Sequence, residues 1–207
     1  MHVAIPFSPT FVVDVKRYMG KYLRTDGLVI VHSTVPVGTT MQLGGGSVHS
    51  PIRGVHPNLE AGVRTFAKYF GGPRAQEAAD IFVAAGIETR AVPLAETTEA
   101  AKLWCTTAYG LQILIEKAIH AYCEEHELDF EVVYAFWTQS YNEGYVALGM
   151  SHVQRPVLKH VPGRIGGHCV IPNARLLKHW LGDLLVQCDA EMFAEEGVDA
   201  PRADGVK

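Results

Sequence analysis

No stretch of this 207-residue chain reaches the ~20 consecutive apolar residues that a membrane-spanning helix needs, because charged side chains break every longer apolar run. Eighteen Lys and Arg stand against 22 Asp and Glu, for a net charge of -4, and they form no basic stripe for a phosphate backbone, so nucleic acid is not an expected partner. The N-terminus shows neither the charged region nor the cleavage site of a secretory signal. The four cysteines, Cys105, Cys123, Cys169 and Cys188, have no C-x-x-C spacing, so they are expected to be reduced thiols of a cytoplasmic protein. There is no internal repeat and no G-x-G-x-x-G turn to cradle a dinucleotide. Gly44-Gly45-Gly46 is no substitute, since it follows a polar turn and precedes Ser47-Val48-His49, which reads as a hairpin or connector.

The order of periodicities divides the chain near Pro93 to Thr98. Before it, strand and helix patterns alternate: Val3 to Pro6, a helical pattern from Phe11 to Leu23, the apolar run Leu28 to His32, Val48 to Ser50, a helix over Arg74 to Ala85 and a strand over Glu88 to Val92. That alternation predicts a partial Rossmann-like α/β domain with a parallel sheet over residues 1-95. Residues 96-207 read as a helical domain. A long helix runs from Glu99 to Glu125, with Leu103, Leu111, Leu114, Ala118, Ile119 and Tyr122 turned inward. Asp129 caps a second helix reaching Ser140, Tyr141 to Val161 reads as loop, a last helix starts near Pro172 or Asn173, and the chain frays from Gly197.

The densest chemistry lies in Gly163-Arg164-Ile165-Gly166-Gly167-His168-Cys169. Adjacent glycines let backbone approach a ligand or a neighbour, and a cysteine directly after such a turn is placed like a nucleophile. The alternative is a small buried hydrophobe at a helix entry. A nucleophile would need thiolate character, which a helix starting just beyond Cys169 would favour.

Gly-Gly-His-Cys, with Arg155 fourteen residues before Cys169, resembles the catalytic segment of the UDP-glucose/GDP-mannose dehydrogenase family, nearest to its N-acetylhexosamine branch. Val29 to Thr40, containing Ser33-Thr34-Val35-Pro36-Val37-Gly38-Thr39-Thr40, is similar to that family's strand-and-turn word, and Glu99-Ala100-Ala101-Lys102-Leu103 is similar to the start of its long central helix. The resemblance runs from about Val3 to Leu177. It implies a chain shortened at both ends: without the first βαβ unit, with Met1 to Pro6 as the fourth strand of the first domain, and without the C-terminal nucleotide-binding domain. It also implies a helical unit that dimerises on a two-fold axis, resembling the 6-phosphogluconate dehydrogenase C-terminal fold.

In the family a nucleotide-sugar alcohol is oxidised twice by NAD through a cysteine thiohemiacetal and thioester. The resemblance places Cys169 as that cysteine and Lys102 as the lysine that steadies an oxyanion. It makes Arg155 a sugar or nucleotide contact, and gives Ser33, Thr34, Val35 and Pro36 a vestigial cofactor side. Gly166, Gly167, Thr106 and Asn173 fall at substrate-facing positions, and Arg53 and His56, in Arg53-Gly54-Val55-His56-Pro57-Asn58-Leu59, would meet an anion. Lys102 and Arg155 have ordinary readings too, as a solvated helix lysine and a surface arginine. The segment carrying Arg53 and His56 also reads as a solvated connector.

Three departures weaken the family chemistry. Thr106 stands where the family has asparagine, Asn173 where it has aspartate, and Ile52 where it has glutamate. Each lost acid-base residue costs ~10²–10⁴ in rate. His49, His56, His152, His160 and His168 suggest a metal, but no spacing of the H-E-x-x-H kind supports one and none is assigned. His168 points away from its neighbour Cys169, leaving His56 or His160 as the thiol's candidate partner.

Two readings follow. One is a cut-down nucleotide-sugar 6-dehydrogenase relative with altered or lost activity, holding no NAD tightly by itself, NAD being implied only by the resemblance. The other is a non-catalytic sugar- or anion-binding or assembly module on the same scaffold. Both predict a homodimer, because Trp104, Ile113 and Ile115 lie off the inward stripe of the long helix. The ligand of either would be a nucleotide sugar or another anionic small molecule.

Overall fold

The computed structural model describes residues 1-54, 57-167 and 169-192. His56 and His168, and the tail from Gly197, lie outside the described residues. The chain forms two compact units, one of Met1–Cys105 with Leu176–Lys178, the other of Thr106–Arg175 with His179–Lys207.

The first unit is built on a five-stranded sheet: β1 (His2–Val3), β2 (Ile30–Val31), β3 (Val48–His49), β4 (Lys68–Gly71) and β5 (Thr89–Val92), in that spatial order. All neighbours are parallel except β3 and β4, which run antiparallel with His49 opposite Gly71. Helix α1 (Phe11–Tyr22) covers one face and α3 (Ala75–Val83) the other. The period of two along β2 decides this: Val29 and Val31 join Phe11, Val15 and Val35 on one side, while Ile30 joins Val48, Phe70, Ala78 and Ala79 on the other. A strand buried on both faces reads as an unbroken apolar run, as this one does. Because β2 and β3 are parallel, the Gly44-Gly45-Gly46 stretch is part of a crossover, entered through a 3₁₀ turn at Thr40–Leu43, and not a hairpin.

Two elements of this unit depart from the sequence reading. Strand β4 begins with Lys68 and Tyr69, which hide it from an apolar pattern, and α2 (Leu59–Thr65) forms just after the polar Pro57-Asn58 pair.

The second unit is helical. Helix α4 (Ala95–Glu125) has 31 residues, about 45 Å of rise, and starts four residues earlier than the sequence pattern shows. After it come a π-helical stretch (Glu131–Phe136), α5 (Trp137–Ala147), α6 (Val170–Leu177) and α7 (Trp180–Met192). Asp129 Oδ1 accepts the amides of Glu131 and Val132, the expected cap. Helix α5 continues past Ser140 to Ala147, so much of the expected loop is helix. Helix α6 begins at Val170, ahead of Pro172.

The core of this unit joins Ile165, Val170, Ala174 and Leu185, with Leu111, Ile113 and Leu114 of α4 packed against them. Gly110 permits the closest approach: a Cβ there would lie 2.4 Å from Val170 Cγ1 and 2.6 Å from Leu185 Cδ2. Beyond Leu114 the buried positions of α4 become Glu116, Lys117 and Cys123, whereas Ala118 and Tyr122, expected inward, are exposed. The polar pair is covered by the segment before the glycine-rich loop. His160 Nδ1 lies 2.7 Å from Glu116 Oε1, Lys117 Nζ donates to Val161 O, and Tyr134 OH accepts the Leu158 amide at 2.9 Å. Hydrophobic spacing could not reveal a buried face made of Glu and Lys.

Candidate functional site

In the first unit the turn after β2 is held by one carboxylate. Glu99, fully buried in α4, accepts the Gly38 amide at 2.6 Å through Oε2 and the Thr40 amide at 2.8 Å through Oε1. Thr39 closes the turn onto Pro36 O through its hydroxyl at 2.6 Å. Of the residues expected on the cofactor side, Ser33, Val35 and Pro36 are buried and Thr34 is half-buried. Ser33 Oγ accepts the Ile5 amide, tying β1 to this turn. The amides of Gly38 and Thr40, which could otherwise face a phosphate, are committed to Glu99. The sequence offers no G-x-G-x-x-G turn whose amides would replace them.

Basic side chains converge on the segment from His49 to Ile52. Lys102 Nζ donates to Ile52 O at 3.0 Å. Lys68 Nζ donates to Ser50 O at 3.1 Å, and His32 Nδ1 meets the same oxygen at 2.7 Å. Since that carbonyl can only accept, His32 carries its proton on Nδ1, leaving Nε2 to the stacked ring of His2 at 2.9 Å. By the same logic His49, fully buried, donates from Nε2 to Ser33 O at 3.1 Å and accepts at Nδ1 from Thr98 Oγ1 at 2.8 Å.

Burial sets the charge of this group. It pushes His49 down to about 4, with His32, Lys68 and Lys102 adding to the depression against the Ser33 bond. Burial likewise takes His32 to about 4 and Lys68 to about 8. Arg53 stands apart, exposed, its guanidinium over the Phe66 ring and reaching Ala67 O at 3.3 Å.

In the second unit the glycine-rich loop leads directly into α6. Cys169 is an exposed free thiol, and its carbonyl accepts the Asn173 amide at 3.0 Å, which places it at the helix's amino end. Gly167 takes φ +81°, a left-handed conformation that a side chain would strain. The loop is anchored from α7: Asp189 accepts the Ile165 amide at 2.8 Å through Oδ1 and Arg164 Nη2 at 2.9 Å through Oδ2. Asn173 Nδ2 donates to Thr106 Oγ1 at 3.1 Å, so these two departures from the family word bond to each other. Arg155 is fixed by Asn142, which accepts its amide and donates to its carbonyl, both at 2.8 Å, while its guanidinium lies over Tyr141 and Tyr145.

The first unit thus gathers Lys102 with the buried basic group, and the second gathers Cys169, Gly166, Gly167, Thr106 and Asn173. Sequence reading missed Glu99, His49 and Asp189 as organising residues. Glu99 stood in a recognised word, but nothing in the sequence marks its burial, and Asp189 is an ordinary helix aspartate until the loop folds onto it. Among the described residues no three His, Cys, Asp or Glu side chains gather to hold a metal, and no helix is long and apolar enough to cross a membrane.

No family model matches this chain, and no curated protein matches it by sequence. Solved structures do. The UDP-D-ManNAc dehydrogenase from Pyrococcus horikoshii superposes with a TM-score of 0.72 at 17% identity, over 93% of this chain and 50% of that one. The NDP-N-acetyl-D-galactosaminuronic acid dehydrogenase from Methanosarcina mazei Go1 gives 0.69 at 23% identity, over 93% and 48%. The 3-hydroxyisobutyrate dehydrogenase from Mycobacterium tuberculosis gives 0.58 at 15%, over 93% and 73%. The chain therefore has the fold of UDP-sugar dehydrogenases, a Rossmann-like sheet followed by a helical unit, and spans about half the length of the two nucleotide-sugar enzymes.

Proposed function

We propose that this chain is a relative of the nucleotide-sugar 6-dehydrogenases whose dehydrogenase activity is altered or lost. The observation that carries this reading is the anchored loop, which brings the exposed Cys169 thiol to the amino end of α6. A thiol so placed can add to an aldehyde: the sulfur bonds the carbonyl carbon, the thiol proton passes to the carbonyl oxygen, and a thiohemiacetal results. Forming that aldehyde from the sugar alcohol and oxidising the adduct to a thioester would each need a hydride acceptor such as NAD, for which this chain carries no G-x-G-x-x-G turn. Asn173, held by Thr106, and Ile52 supply no general base in place of the family's carboxylates.

In this reading Lys102 steadies negative charge in the first unit, where Arg53 and His56 are the candidates to meet an anionic ligand of the nucleotide-sugar class, and Arg155 is the second unit's own candidate for such a contact. The protein works in the cytoplasm as a homodimer with a mostly helical, obligate interface, above about 2,000 Å² in total.

Calorimetric titration with UDP-N-acetylhexosamines, beside NADH formation from the same sugars and NAD, tests the proposal. Sugar-nucleotide binding that Cys169→Ser leaves intact, with no NADH formed, is the expected result. Sustained NADH production, or micromolar affinity for NAD alone, would show that the cofactor reading is wrong. Absence of binding to any UDP-sugar would favour the second reading, a non-catalytic assembly module, which the loss of family carboxylates at Ile52 and Asn173 supports.

A further inference from the structure

On the sheet face covered by α3, four polar side chains from four adjacent strands form a row. Alternation along the strands sets them there. Val48 and Phe70 pack toward α3, so Ser50 and Lys68, each two residues away, face the same side. Ile30 also packs toward α3, which brings its register partner His2 and its second neighbour His32 to that side. Both imidazoles meet the Phe82 ring of α3, with centroids at 6.1 and 6.2 Å. Hydrogen bonds link the row: His2 to His32 at 2.9 Å, and His32 and Lys68 to the one Ser50 carbonyl at 2.7 and 3.1 Å.

The row is rich in donors and holds no acid. Among the described residues no carboxylate pairs with His2, His32 or Lys68. Lys68 is buried, with its ammonium over the rings of Phe70 and Phe82 at 5.6 and 5.4 Å. Of its three N–H groups the Ser50 carbonyl takes one. The Ser50 hydroxyl is fully buried and has no hydrogen-bond partner. A buried ammonium without a counter-charge and a buried hydroxyl without a partner each cost stability, and a negatively charged acceptor placed between them relieves both.

We infer that this row binds a small oxyanion, of the carboxylate or inorganic phosphate class, held by Lys68 Nζ and the Ser50 hydroxyl with His32 and His2 beside it. His2, exposed on the edge strand β1, faces the solvent from which the ion enters. His32 and Ser50 follow directly on the ends of β2 and β3, and the carboxyl ends of parallel strands are where such sheets receive ligands. Electrostatics agree in direction. Burial lowers Lys68 to about 8 and His32 to about 4, and for His32 the charges of Lys68 and His2 add to the depression against the Ser50 bond. Lys68 therefore carries the row's charge at neutral pH, and an anion beside it would push both groups back up. None of the four residues has a part in the proposed function.

Sodium phosphate and sodium acetate titrated into the full chain, against chloride at equal ionic strength, test the site. The His2 and His32 imidazole resonances, followed by NMR, report where the ion goes. Saturable shifts of both imidazoles with at least one oxyanion are expected. A response to phosphate alone would assign a tetrahedral ligand, and one to acetate alone a planar carboxylate. Lys68→Met should weaken binding about ten- to a hundredfold and Ser50→Ala about two- to tenfold, the net strengths of a charged and a neutral hydrogen bond. Each substitution removes a buried polar group short of partners, so without oxyanion both variants should keep or raise the thermal midpoint. Imidazole shifts no larger than chloride produces, or oxyanion binding of wild-type strength in folded Lys68→Met, would overturn the inference and leave the reading of Cys169 untouched.

Discussion

Arg164 and Asp189 are joined through two nitrogens of the guanidinium, Nε at 3.3 Å and Nη2 at 2.9 Å from Oδ2, with the carboxylate buried and the arginine half-exposed. The same carboxylate holds the Ile165 amide, so one side chain of α7 fixes the loop that precedes Cys169. Asp189→Ala is expected to destabilise the protein by about 1–3 kcal/mol, the cost of leaving a buried amide unpaired and a charged hydrogen bond unmade. Urea denaturation measures it, and a midpoint unchanged from wild type would show that the loop does not depend on this anchor.

Glu99 plays the corresponding part in the first unit, with two oxygens for two amides. Glu99→Gln keeps the shape but turns an NH2 group toward one of them. A loss of about 1.5–3 kcal/mol is expected, since a charged acceptor is replaced and one donor faces another. Glu99→Asp, one methylene shorter, should recover little of it. Chemical denaturation of the two variants side by side decides the matter.

Among the cysteines, Cys169 and Cys105 are exposed, Cys188 is partly covered and Cys123 is buried. Cys169 should take up a limiting dose of iodoacetamide first, because it is accessible and lies where the unpaired amides of a helix start gather. Peptide mass spectrometry reads the order. Prior modification of Cys105, Cys123 or Cys188 would count against a reactive Cys169.

Stability should fall as pH drops from 6.5 toward 5. His32 and His49 stay neutral in the folded chain down to about 4, whereas in the unfolded chain they take up protons near 6.5. The unfolded state binds more protons between those values, so stability rises with pH across that window and is lost on acidification. His32 and His49 together contribute a slope of about two protons; His2, also lowered by burial, adds in the same direction, and His49→Asn should remove about one. A flat profile from pH 6.5 to 5 would show that these imidazoles are not held neutral.

How much of this was legible in the sequence depended on whether packing was apolar. The run Val29-Ile30-Val31 announced a strand covered on both faces, and so it is. Lys68 could not announce β4, because its burial relies on Phe82 and the Ser50 carbonyl, 14 and 18 residues away, as well as on Phe70 of the same strand. The Gly and Pro of Tyr141 to Val161 read as loop, yet α5 runs on to Ala147, and Asn142 within it spends its amide group on Arg155. The glycine-rich loop and its cysteine stood out because their residue types are unusual. Asp189 did not, since an aspartate 24 residues from its partner amide looks like any solvated helix residue.

Gly110 has a consequence for the thiol. Val170 Cγ1 and Leu185 Cδ2 occupy the space a side chain at 110 would fill, and the neighbours on either side are Tyr109 and Leu111. Sliding α4 by one residue would drive one of those bulky groups into the notch, so the helix is indexed against α6 and α7 like a key against a ward. Cys169 immediately precedes Val170. Its position along α4 is therefore read off a glycine 59 residues upstream, and a side chain grafted onto that glycine would displace the thiol without touching it.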